Sequence, residues 1–349
     1  MNLSTGTDRS RSDHVRNRFL TPREIARQFN KFVIGQPRAT KTLAVAVSDH
    51  SRRPIDVKKS NVLIVGPTGC GKTELSRIAA RIMGVPFAEA KMAGKVRSGY
   101  TGDPLETVFE DLISQNSERS RHGVVFLDEI DKIADTHFDT FYGAELQKQL
   151  IGWVESAVVR FRVPVSEPDS PHDFVYHTFD TTNVLFIAAG VFDGLERIIA
   201  NRLSGHNGGK VAPERLAELY DRIIPEDLVT FGFKRELVGR FPVITYVRPL
   251  SAEDLVTIMK TSESSVVLGQ LKLLQDGYNV RVELNEEVYL LLAKAALRLG
   301  EGARGLETVC YKLFEDIKFN IENRAKRRTC LVVNEIDARR HLGELISHP

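Results

Sequence analysis

Apolar residues along the chain fall into two kinds of pattern. VLIV (Val62–Val65), VVFL (Val124–Leu127) and VLFIAA (Val184–Ala189) are short continuous runs bounded by polar or glycine-rich segments. Runs of that length read as strands buried on both faces. Elsewhere apolar positions recur at helical spacing. In LTPREIARQF, Thr21 is the expected N-cap and Pro22 the first helical residue. TELSRIAARIM is a second helix, and Leu105, Val108, Phe109, Leu112 and Ile113 mark a third. Ahead of this last group, Asp103, Pro104 and Glu106 predict an N-cap, a first-turn proline and a capping-box acid. Helices alternating with continuous apolar strands predict an α/β fold with a parallel sheet covered on both faces.

The texture changes after Pro249. Helical stretches from Ala252 and Asn285 flank the strand-like NVRVEL, a further helix begins near Arg304, and CLVVNE reads as a short strand. The expected organisation is a disordered tail over 1–19, a large α/β nucleotide-binding domain over 20–248 and a smaller, mostly helical lid domain over 249–349.

Composition narrows the function classes. At 349 residues the chain has room for two cores, and its 42% hydrophobic and 27% charged content is that of a globular protein. A formal net charge of +2 gives no reason to expect nucleic acid or an anionic membrane as the default partner. The three cysteines, Cys70, Cys310 and Cys330, stand apart from any metal-ligand spacing, which predicts a reduced, cytoplasmic protein. MNLSTGTDRSRSDHVRN lacks the apolar core of a secretory signal, and NVLFIAAGVF is too short to span a bilayer.

GPTGCGKT, Gly66 to Thr73, fits G-x-x-x-x-G-K-[ST] between a strand and a helix. Glycines let backbone N–H groups wrap phosphates, and the helix adds its positive N-terminal end. Lys72 is placed to reach the β- and γ-phosphates of ATP and Thr73 to ligate Mg²⁺. VVFLDEIDK supplies the acids: Asp128 for the Mg²⁺ shell and Glu129 to orient or deprotonate the attacking water. Two arginines extend the set. Arg240, in ELVGRFPV, is a candidate arginine finger toward a neighbour's γ-phosphate, and Arg304, in GEGARGLE, a contact from the second domain.

FVIGQPRA, GPTGCGKT, SGYTG, FLDEIDKI, DTTNVLFIAAGVFDGLE, PEDLVTFGFKRELVGRFPV and EGARGLE together resemble the AAA+ ATPases of the Clp unfoldase family. The likeness runs from Leu20 to Leu345, closest to the ClpX branch and more distant from HslU. It implies ATP and Mg²⁺, with Val33 and Ile34 at the adenine. Gly66, Pro67, Thr68, Gly69, Cys70, Gly71, Lys72 and Thr73 become the Walker A contacts, and Asp128 and Glu129 the Walker B acids. Arg240 becomes the trans-acting finger and Arg304 the sensor-2 arginine. FIAAG offers no polar side chain for a sensor-1 role. Gly99, Tyr100, Thr101 and Gly102 resemble the pore loop with which a homo-oligomeric, six-membered ring grips protein substrates. An exposed aromatic between glycines suits a grip without sequence preference.

Four features depart from the family pattern. No cysteine precedes Cys70, so its N-terminal zinc-binding domain has no counterpart here. RLSGHNGGKVAPE has Val211 as its only sizeable apolar side chain, where a peptidase-docking tripeptide is expected, and the terminal ELISHP is no substitute. IADTHFDTFYGAE looks shorter than the second pore loop and lacks its arginine. VRFRVPVSEPDSPHDFVYH lacks the pore-entrance basic cluster, and His172 and His177 read as surface side chains. The reading favoured is therefore an ATP-driven unfoldase or remodeller without a dedicated peptidase. The alternatives are an unfoldase feeding a peptidase, a regulatory ATPase, and a nucleic-acid motor. The last rests on Arg52, Arg53, Lys58, Lys59 and the run Arg324 to Arg328, which read as solvated charge.

Overall fold

The computed structural model describes residues 19–343 except 55, 94, 97–102, 135–139, 165–173, 206–214 and 322–329. Five strands, β1 (Val62–Val65), β2 (Phe87–Lys91), β5 (Val124–Asp128), β8 (Leu185–Gly190) and β9 (Val243–Tyr246), form one parallel sheet in the order β2-β5-β8-β1-β9. The three apolar runs of the sequence are its central strands β5, β8 and β1. Every residue of β1 and β8 is buried, as strands covered on both faces must be.

Helices α1 (Pro22–Phe29), α2 (Pro37–Arg52) and α3 (Lys72–Met83) cover one face. The α1 cap is the expected one, with Thr21 and Glu24 exchanging hydrogen bonds in a capping box. On the other face lie α4 (Thr107–Gln115), α5 (Thr140–Glu155), α6 (Leu195–Ser204), α7 (Leu216–Tyr220), α8 (Pro225–Phe231) and α9 (Arg235–Val238). Two short strands, β3 (Lys95–Val96) and β4 (Asp103–Pro104), pair in parallel, and β6 (Val158–Pro164) and β7 (Phe174–Asp180) pair antiparallel. The C-terminal part contains α10 (Ala252–Thr261), α11 (Val266–Tyr278), α12 (Glu286–Arg298), α13 (Gly305–Phe319) and α14 (Glu335–Leu342), with β10 (Arg281–Leu284) and β11 (Cys330–Val333) paired in parallel. The core beneath α1–α3 continues without a break into these helices.

Two local expectations are corrected. Asp103 and Pro104 are not the start of α4. They pair with Lys95 and Val96, and the helix begins at Thr107. Glu106 is buried and accepts from Gln149 Nε2 at 2.8 Å, so its carboxylate serves a tertiary contact instead of a cap. The basic run ahead of β1 is not solvated charge throughout. Lys59 is 6% exposed and donates to the Thr181 carbonyl at 2.9 Å, 5.0 Å from the Phe186 ring centroid. Arg53 donates to the Thr182 carbonyl and Asn183 Oδ1, and Arg52 to the carbonyls of Phe19 and Leu20. These cations hold the chain together, which removes part of the case for a nucleic-acid face. Arg324 to Arg328 lie outside the described residues.

Candidate nucleotide site

A cavity of about 670 Å³ opens where the C-terminal ends of β1, β5 and β8 meet α10, α11 and α13. Its position follows from the parallel sheet, since loops leaving the same ends of neighbouring strands converge. Val65 ends β1, the chain turns through the glycine-rich loop, and α3 starts at Lys72. Lys72 is buried, and its Nζ donates to the carbonyls of Gly66 and Pro67 at 2.7 and 2.9 Å. Burial pulls its ammonium below the usual lysine range, and the Asp128 carboxylate opposes that shift. The loop thus presents a nearly dry cation beside the free N–H groups of a helix start. Thr68, Gly69, Cys70, Gly71 and Thr73 line the same cavity. Burial pushes the Cys70 thiol up, and its Sγ lies 3.5 Å from the Thr68 carbonyl.

β5 delivers the acids. Asp128 is its last residue, and Oδ1 accepts from the Glu129 N–H at 2.9 Å. Glu129 has φ 56, left-handed backbone that costs a non-glycine residue roughly 1–3 kcal/mol. The turn sends the chain into a 3-10 segment, Ile130–Ile133, and leaves both Asp128 and Glu129 on the cavity wall.

FIAAG ends without a polar side chain, and a carboxylate from another segment packs against that strand end. Gly190 ends β8, and a Cβ built on it would lie 2.3 Å from Asp131 Oδ1. The buried Asp131 carboxylate fills the space the glycine leaves, with Lys132 Nζ 3.0 Å from its Oδ2. Nothing in a linear reading links positions 131 and 190. The signal available was the second aspartate of DEID.

Phe32, Val33, Ile34, Ile258 and Met259 form an apolar wall at the other end. Three serines between α10 and α11 carry no signal in the sequence alone. Ser262 and Ser265 donate to the carbonyls of Phe32 and Met259, and Ser264 to Glu74 Oε1. From α13's side comes Arg304, carried on the turn Gly302–Arg304. That turn touches the phosphate loop directly: a Cβ on Gly69 would lie 1.8 Å from the Glu301 carbonyl oxygen.

An apolar slot, a cationic loop and paired acids in one cavity match the parts of a nucleoside triphosphate. Among the described residues no three His, Cys, Asp or Glu side chains gather as a metal cage. Asp128 and Thr73 line the same cavity, and a carboxylate with a hydroxyl is a donor pair that could hold Mg²⁺ alongside phosphate oxygens. Arg240 is absent from the cavity lining and forms an ion pair elsewhere. Gly99, Tyr100, Thr101 and Gly102 lie outside the described residues, as do His172, Val211 and the residues of ELISHP from 344 on. His177 is exposed, as expected. No helix among the described residues is long and apolar enough to cross a membrane.

Strand, glycine loop and helix with a buried lysine, beside an acidic strand end, define a P-loop ATPase. The AAA domain (Cdc48 subfamily) model matches residues 57–244. The chain is 32% identical to the ATP-dependent Clp protease ATP-binding subunit ClpX of Treponema denticola, over 90% of this chain and 80% of that one. The same subunit of Bacteroides thetaiotaomicron is 33% identical over 88% and 78%, and that of Bacteroides fragilis 34% identical over 86% and 77%. The chain belongs to the ClpX family of AAA ATPases.

Proposed function

We propose that this ATPase couples hydrolysis to the unfolding or remodelling of protein substrates, working in the cytoplasm as a homo-oligomeric ring of about six subunits, as the ClpX resemblance implies. The observation that carries the nucleotide half is the convergence of Lys72, Asp128, Glu129 and Arg304 on one cavity. Val33 and Ile34 hold the base, the loop from Gly66 to Thr73 the phosphates, and Glu129 orients and deprotonates the attacking water. When bound, Mg²⁺, held by Thr73 and Asp128, neutralises phosphate charge. Lys72 and Arg304 place positive charge on the phosphate oxygens, where it counts most in a dry site. Arg240, outside its own chain's cavity, completes the site of the next subunit.

We divide the chain near Arg248 into a large domain and a helical lid, so that Arg304 ties lid position to the phosphates. Tyr100 grips the polypeptide, and a dedicated peptidase is not part of the assembly. The test is a trap: Glu129→Gln binds ATP and assembles but hydrolyses slowly, and what co-purifies is identified by mass spectrometry. A few specific polypeptides, lost when Tyr100→Ala is added, support the reading. A co-purifying peptidase overturns the standalone part, and trapped nucleic acid overturns the whole.

A further inference from the structure

Arg240 is tied to one carboxylate and one side-chain amide, both from its own chain. Glu155, the last residue of α5, places Oε2 2.7 Å from Arg240 Nη2. Asn61, one residue before β1, donates through Nδ2 to two carbonyls, those of Val154 and Arg240, each at 3.1 Å. Its Oδ1 accepts from the Phe186 N–H at 3.1 Å. Asn61 is buried, so one amide pins the main chain on both sides of the Glu155–Arg240 pair to the sheet.

The pair itself sits at the surface, with Arg240 29% and Glu155 53% exposed. An ion pair in that setting contributes about 0–1 kcal/mol to stability, which is a weak reason for so rigid a mount. Its effect on order is larger. An arginine side chain carries roughly 2 kcal/mol of rotamer entropy, and here that freedom is removed before any phosphate arrives. Arg240 Nε is buried and, among the described residues, has no hydrogen-bond partner.

The pair is also out of reach of its own phosphate loop. The Arg240 carbonyl is bonded to the residue before β1, whereas the loop leaves the other end of that strand. Four strand residues separate them by about 13 Å. We infer that Glu155 is a positioning residue for hydrolysis: it holds the Arg240 guanidinium in the orientation that meets the γ-phosphate of nucleotide bound by a second copy of the chain. This rests on Arg240 acting in trans, as proposed above.

The test compares Glu155→Gln, Glu155→Asp and Arg240→Ala in the full chain, at concentrations where sedimentation shows equal assembly. Glu155→Gln is expected to lower kcat about five- to tenfold at nearly unchanged nucleotide affinity, and Glu155→Asp to recover part of that loss. On an Arg240→Ala background, Glu155→Gln is expected to add nothing. An unchanged or raised kcat in Glu155→Gln overturns the inference, as does a fall that merely tracks a lower Tm. An undiminished kcat in Arg240→Ala removes the trans arginine itself, a separate failure.

Discussion

The Ala303 N–H donates a 2.9 Å hydrogen bond to the Gly69 carbonyl, joining the apex of the phosphate loop to the C-terminal helical part main chain to main chain. The approach needs glycine on both sides. Gly69 has φ 70 and Gly302 φ 57, and a Cβ on Gly302 would lie 2.8 Å from the Gly69 carbonyl oxygen. A side chain at either position meets backbone, which has no rotamer to move aside. Gly69→Ala is expected to weaken nucleotide binding at least about tenfold, some 1.4 kcal/mol, in a titration with a fluorescent ATP analogue. Unchanged affinity would show the contact to be expendable.

Gly190→Ala tests the pairing of β8 with Asp131. Its Cβ would press on Asp131 Oδ1 and, at 2.8 Å, on the Phe192 ring, both buried. Overpacking of this kind costs about 1–3 kcal/mol. Steady-state kinetics are expected to show kcat down about tenfold or more, because the displaced carboxylate lines the same cavity as Glu129 and Lys72. A variant with normal turnover and a lower melting temperature would assign Asp131 to packing alone.

Two buried bases that bond carbonyls just ahead of β8 make stability depend on pH in adjoining windows. Burial lowers Lys59 from 10.5 to about 7 and His50 from 6.5 to about 4. Between about 7 and 10.5 the unfolded chain binds more protons at Lys59 than the folded one, so stability rises with pH there. For His50 the window is about 4 to 6.5, and stability falls as pH drops through it. Each slope is expected to be on the order of 1 kcal/mol per pH unit by urea unfolding. Lys59→Met is expected to flatten the upper window, because it removes the titrating amine while the Thr181 carbonyl keeps its second donor, the Val184 N–H.

Arg202 grips Asp227 with Nε and Nη2 at 2.7 and 2.9 Å, fastening the end of α6 to the start of α8. Asp227 Oδ2 also accepts the Ile224 N–H. The carboxylate is buried while the arginine is partly exposed. Arg202→Ala is therefore expected to cost about 2–3 kcal/mol, somewhat less than breaking a fully buried pair. Chemical denaturation measures this, and a loss under 0.5 kcal/mol (roughly the noise of a surface change) would assign the pair to the surface class.

Much of the site was legible because its signals are local. GPTGCGKT and VVFLDEID each place their own side chains, and continuous apolar runs set the strands that carry them. What stayed hidden is whatever depends on two distant segments meeting. Asp131 against Gly190 and Ala303 against Gly69 join positions far apart in the chain. The serines after α10 look like any polar turn until Phe32 and Met259 supply the carbonyls they bond. Lys59 misled for the opposite reason. A cation in a basic run reads as solvated, and only the neighbouring strand end shows it to be enclosed. At Asp103–Pro104 sound cap chemistry lost to strand pairing with Lys95–Val96.

A parallel sheet has direction, and Asn61 makes that direction count. The side chain at the head of β1 holds the Arg240 carbonyl and the glycine loop follows its foot, so on the proposed reading each chain offers a plug at one end and a socket at the other. Under the proposed trans role, two copies meeting face to face would match socket with socket and leave both plugs idle. Only head-to-tail contact completes a site, and repeated head-to-tail contact either closes on itself or grows without limit. Dilution would then extinguish turnover while every chain stayed folded.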